Sequence, residues 1–274
     1  MKRRYSSNAD IASLAMMYEV CAYPKPGNVD RCHDYAETAL EHFLESAILS
    51  HDVFKDAEGI ENGVGHLIKE AVIRTALHGG GNTHFGAFIL LFPLVMGGGI
   101  EAAVRIVKNT TSEDAVLFYE AFGLTSVRMH ETDNELDVND PSSIDRLKEG
   151  GMTLYDVMAY SSENDMVANE WTNGFRLTRK MADMLHKNGP GRDSIVKSFV
   201  IMLSEDIDTF IVKKLGAEMA VKTKSMAEDA VKGEVSLEEF DEWCHHAGAN
   251  PGSIADITIA GLFIAMKEGW EWEF

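Results

Sequence analysis

Residues 85–96, FGAFILLFPLVM, form an unbroken apolar segment fenced at both ends by three consecutive glycines, Gly79–Gly81 and Gly97–Gly99. Such a segment has no face suited to water. It is too short to span a bilayer and carries Pro93 within it. The reading left is a buried helix that the rest of the chain wraps. Elsewhere almost no stretch alternates apolar and polar residues with a β-branched bias, so an all-α fold is expected.

Helix signals recur along the chain. Ser7 with Asp10 opens a helix carrying Ile11, Leu14, Ala15 and Tyr18 at helical spacing. Further helices are expected at about Tyr35–Lys55, Gly65–Leu77, Ser112–Phe122, Thr153–Ser162 and Asp165–His186, and then over 193–203, 206–215 and 217–232. Ser236-Leu237-Glu238-Glu239 reads as a capping box. Residues 125–151 are polar, hold Pro141 and read as a long excursion. The expectation is one multi-helix domain over 1–274, in which two glycine-rich helix N-termini converge on one pocket.

The charge balance narrows the partners. Twenty-five basic against 44 acidic side chains leave −19, a surface that repels nucleic-acid phosphates and anionic membranes. Cys21, Cys32 and Cys244 are scattered, without metal-knuckle spacing, as expected of a reducing cytoplasm. Self-association stays open.

Three stretches carry chemistry. Gly80, Gly81, Asn82 and Thr83 precede the apolar helix; the Asn-Thr pair offers an N-cap, with His84 in the first turn, and a helix N-terminus suits a phosphate. Pro24 and Pro26 flank Lys25 and hold it extended at low entropic cost. Asn250-Pro251-Gly252-Ser253 opens a second apolar helix, with Asp256 one turn inside. A carboxylate buried there costs several kcal/mol unless it is paired or metal-bound, whereas a first-turn dipole partner costs nothing. His245 and His246 are adjacent on a helix and so point apart, which argues against a shared ligand.

Read together, Glu19-x4-Pro-Lys-Pro-Gly-x-Val-Asp30, Gly81-Asn-Thr-His-x-Gly86 and Asn250-Pro-Gly-Ser-x-Ala-Asp256 resemble the triphosphoribosyl-dephospho-CoA synthase family over nearly the whole chain. Three places depart from the family pattern, one of them a mid-chain Thr-Arg-Gly-Gly segment whose nearest counterpart is Trp171-Thr172-Asn173-Gly174. Phe85 stands where the family has lysine, and Arg31-Cys32-His33-Asp34-Tyr35 occupies the place of a Gly-Ser-His-x-Asp-Met segment. The resemblance implies an all-α transferase that breaks the N-glycosidic bond of ATP, releases adenine and moves the triphosphoribosyl group to dephospho-CoA or a related acceptor.

Oxocarbenium character at the ribosyl carbon calls for carboxylates, and the triphosphate for cations, N–H donors and Mg²⁺. Catalytic candidates are therefore Glu19, Asp30, His84 and Asp256. Lys25, Gly80, Gly81, Asn82, Thr83, Asn250 and Ser253 are the binding candidates, and Asp30 and Asp256 the metal ligands. A nucleotide N-glycosidase using water and a non-catalytic nucleotide-binding regulator are the competing readings.

Overall fold

The computed structural model describes residues 7–81, 83–125 and 142–272. In these the chain runs through α1 (Asn8–Cys21), α2 (Leu40–Leu49), α3 (His51–Ala57), α4 (Val64–Thr75), α5 (Phe85–Gly97), α6 (Ile100–Lys108), α7 (Ser112–Leu124) and α8 (Ser142–Gly150). It continues through α9 (Leu154–Ser161), α10 (Met166–Asn173), α11 (Arg176–Asn188), α12 (Arg192–Glu205), α13 (Thr209–Leu215), α14 (Ala217–Lys232), α15 (Leu237–Ala247) and α16 (Gly252–Lys267). The described residues contain no strand, only an isolated antiparallel bridge between Tyr35 and Thr38.

α5 is the axis. Every residue from Ala87 to Met96 is buried, with α1, α3, α4, α6, α10 and α16 packed around it. The helix continues straight through Pro93. A proline there removes the N–H that would bond the Ile89 carbonyl one turn back. The fully buried Trp171 of α10 supplies the substitute: its indole N–H donates to the Ile89 carbonyl oxygen at 3.1 Å. The second apolar helix, α16, lies against α1, α5, α11 and α12. The two segments with least affinity for water thus touch at the centre.

The helix start expected at Ser7 forms, closed by a capping box with Asp10, and the capping box expected at Ser236 forms too. Four expectations need correction. The helix expected over Tyr35–Lys55 starts only at Leu40 and breaks at Ser50, whose hydroxyl donates to the Ser46 carbonyl. The helix expected over Asp165–His186 is two helices, α10 and α11. Glu170, buried near the end of α10, accepts the Leu177 and Thr178 N–H groups at 2.8 and 2.7 Å and so caps α11. This forces Gly174 and even Phe175 to positive φ. Within the polar excursion, 142–150 is helical as α8, and 126–141 lies outside the described residues. The N-cap of α5 is His84 rather than the Asn-Thr pair, and the His84 side chain itself makes no cap bond.

Candidate active site

The Pro-Lys-Pro-Gly loop folds inward. Lys25 is 1 % exposed, and its ammonium meets Glu19 Oε1 at 2.6 Å and the Asn28 amide oxygen at 3.4 Å. The Phe199 ring lies beneath it. A buried cation needs such partners, so Lys25 is an interior charge and not a solvated loop lysine. Burial nevertheless pushes the Glu19 carboxyl above its usual value against the pull of Lys25. Asp30 accepts the backbone N–H groups of Lys25, Cys32 and His33 at 2.9, 2.7 and 3.2 Å. It ties the loop shut. Gly27, at φ 78°, passes so close to Ala249 that a Cβ would lie 2.1 Å from its carbonyl oxygen.

At the mouth of α5, His84 is 2 % exposed with Nδ1 2.9 Å from the Ser46 hydroxyl, while Nε2 is buried and without a hydrogen-bond partner among the described residues. Burial, reinforced by the charges of His78 and Lys25, lowers its pKa to about 3. At neutral pH it is therefore an uncharged imidazole with one free pole. The glycine loop is braced by residues that sequence reasoning missed. The Gly80 N–H donates to His78 Nδ1, and its carbonyl accepts from the Thr38 hydroxyl at 3.0 Å. Thr83 reaches His78 Nε2, Gly81 has φ 69° and is exposed, and Asn82 lies outside the described residues. Phe85, in place of the family's lysine, turns away from this mouth and packs on Phe118 and Phe122 of α7.

The mouth of α16 meets that of α5. A Cβ on Gly86 would sit 2.0 Å from Asp256 Oδ2, so only glycine admits this approach. The Asp256 carboxyl accepts the Ala87 N–H. It is pushed well above the usual carboxylate value by burial first, then by Glu19, Asp208 and Asp165. Asn250 accepts from the Asn28 amide at 2.7 Å, joining this mouth to the lysine loop. Ser253 meets the Thr209 hydroxyl at 3.2 Å.

Asp208, absent from the sequence-based candidates, accepts the Phe210 and Ile211 N–H groups through Oδ1 and the Ile254 N–H through Oδ2. It pins the starts of α13 and α16 together, and burial raises its pKa to about 6. Beside it a cleft of about 280 Å³ is lined by Asp165, Asn169, Arg176, Asp206 and Thr209, among others.

The fold therefore gathers Glu19, Lys25, His84 and Asp256 into one electrostatically coupled set. His84 feels Lys25, and Asp256 feels Glu19. Asn250 is attached to the set through Asn28, and Asp30 through the loop it closes. Gly81 and Thr83 stand at its rim. Neither Asp30 nor Asp256 belongs to a set of three converging ligand atoms among the described residues.

A family model described as ATP:dephospho-CoA triphosphoribosyl transferase (CitG) matches residues 5–274. The chain is similar to the crystal structure of a protein from Archaeoglobus fulgidus, provisionally described as a triphosphoribosyl-dephospho-CoA synthase. The two are 30% identical, with a TM-score of 0.70 over 83% of this chain and 99% of that one. No curated protein matches the chain. With the family model covering nearly all of it, and a solved relative sharing the all-α architecture, the chain belongs to the ATP:dephospho-CoA triphosphoribosyl transferases.

Proposed function

We propose that the transfer takes place where the N-termini of α5 and α16 meet, with the triphosphate held between the lysine loop and the glycine loop. The observation that carries this is the coupled set of the buried Lys25, Glu19 and His84 with the part-buried Asp256. Three ionisable groups with shifted pKa values around one buried cation are costly for a fold and useful to a reaction. In the transfer the C1′–N bond of ATP breaks and a bond from an acceptor hydroxyl oxygen to C1′ forms. Adenine takes up a proton and the hydroxyl gives one up.

Asp256 is assigned to stabilise positive charge at C1′ and to take the acceptor's proton. Its pKa is raised above the usual carboxylate value by burial, which makes the ionised carboxyl a stronger base than an exposed aspartate. Glu19 orients Lys25, whose ammonium offsets phosphate charge. His84 Nε2 serves phosphate or the departing base as a neutral partner. Asn250 and Ser253 line the second mouth. Asp30 braces the loop, and its three N–H donors leave little capacity for a cation.

Magnesium, the usual companion of a triphosphate, fits Asp256 better, because that carboxyl is crowded by other carboxyls and meets no cation among the described residues. When bound, the ion neutralises phosphate charge. The three free cysteines and the ATP requirement are consistent with a reducing, cytoplasmic setting.

The test is adenine release from ATP with Mg²⁺, with and without dephospho-CoA, for the native chain and for Asp256→Asn. Release only with dephospho-CoA, lost in the variant, supports the proposal. Release without acceptor points to an N-glycosidase. No release while ATP still raises the melting temperature points to a binding protein.

A further inference from the structure

Against the lysine loop lies a second cluster that this mechanism does not use. His33 Nδ1 is 2.7 Å from one oxygen of Asp241, and His245 Nε2 is 3.3 Å from the other. The three ligand atoms lie within 4.8 Å of one another. Asp241 and His245 sit four residues apart on one face of α15, and His33 comes from the loop after Asp30. His246, by contrast, turns outward and bonds the Glu242 carbonyl of its own helix.

We propose that His33, Asp241 and His245 form a binding site for a zinc-class divalent cation, one that clamps the lysine loop to α15. Four observations support it. Two imidazoles and one carboxylate are a zinc, cobalt or nickel set and not a magnesium one. Both nitrogens are sealed from solvent, and neither meets the nearby carboxylate in hydrogen-bond geometry. Their in-plane directions miss oxygens that are close enough to bond, as expected of ligands prepared for a shared ion.

The outer contacts also match. His245 makes a further hydrogen bond to the Asn28 backbone, and Asp241 Oδ1 accepts the Gly27 N–H at 2.9 Å. Such partners fix the tautomer and orientation of ligating groups. His33, with its side chain 41 % exposed, gives the ion a route in, and Asp241, at 2 %, is the inner anchor.

The test uses the full-length chain stripped of metal by chelation, with zinc titrated by calorimetry and cobalt followed by its visible absorption. The expected result is one zinc per chain for the native protein and for His246→Gln, without ATP. Affinity falls at least about tenfold in His33→Gln and His245→Gln. Cobalt gives the intense visible band of a low-coordinate nitrogen and oxygen site in the native chain alone of these three. If His245→Gln fails to fold, the part-exposed His33→Gln decides. Stoichiometric binding unchanged in His33→Gln, or no stoichiometric binding in the native chain, overturns the proposal and leaves a metal-free His–Asp–His contact.

Discussion

Replacing Gly86 by alanine separates the chemistry of the site from the stability of the fold. In an ordinary helix interior the change stabilises by about 1 kcal/mol, because glycine is the poorer helix former. Here the new Cβ would lie 2.0 Å from Asp256 Oδ2 and 2.7 Å from its Cγ. More than an ångström must open between them. Forcing a methyl into a packed contact costs about 1–3 kcal/mol. If Asp256 swings aside instead, it leaves the buried Ala87 N–H without its partner, at a cost of about 1–3 kcal/mol. Either route offsets or outweighs the propensity gain, for a net loss of about 0–2 kcal/mol. The effect on turnover is larger, since displacing a reacting group by an ångström costs on the order of a hundredfold. Urea unfolding reads the first quantity, and chromatography of adenine released with dephospho-CoA reads the second. Gly123→Ala in α7, where an added Cβ meets nothing within 4 Å, is the control. It should gain up to about 1 kcal/mol with turnover unchanged. A folded Gly86→Ala enzyme with native turnover would refute the reasoning, because Asp256 would then not need its present position.

Other perturbations test other joints. Trp171→Phe orphans the Ile89 carbonyl and should cost about 2–4 kcal/mol in urea unfolding, including the void left by the indole. Adding Pro93→Ala restores a backbone donor, so the double variant should recover about 1 kcal/mol or more. Lys25→Met strands Glu19 in the interior and should cost about 3–5 kcal/mol; combining it with Glu19→Gln should return much of that, while adenine release stays absent. His84 supplies a pH signature. Its folded pKa of about 3 lies below the ordinary 6.5, so the native state binds fewer protons than the unfolded state between those values. Its stabilising contribution is complete above pH 6.5 and declines with acid by up to about 1.4 kcal/mol per pH unit. The stability gap between the native chain and His84→Asn should therefore narrow as pH falls from 6.5 toward 3, and a constant gap in urea melts would contradict the burial of a neutral ring. Asp208 acts in the opposite sense, losing stability as pH rises through its raised value of about 6, but it is common to both proteins and cancels.

Local rules made much of the fold legible. A hydroxyl or acid before an apolar period marks α1, α7 and α15 because capping is decided within four residues. The same rules misplaced the start of α5. His84 takes the cap position there through its bond to Ser46, a partner 38 residues away. The seam between α10 and α11 was invisible for a similar reason: Glu170 looks like any helical surface glutamate until it folds back on Leu177 and Thr178. At the site, Lys25, Glu19 and Asp256 stood out because charge beside proline or inside an apolar helix violates local expectation. Asp208 did not, since it lies in an acidic run that reads as solvated surface, and only the Ile254 N–H brings it inside. His33 and His245 are separated by over two hundred residues, and nothing in either neighbourhood announces the other.

The bond between Asp256 and the Ala87 N–H has a thermodynamic consequence. The mouth of α5 already holds a carboxyl group, one tethered to α16. A phosphate arriving there is a competitor, and the side chain it evicts must find a proton or a cation. Nucleotide uptake, carboxyl protonation and metal capture then become three faces of a single equilibrium, and the pocket's affinity for ATP is written partly in the solution's pH and its divalent ions.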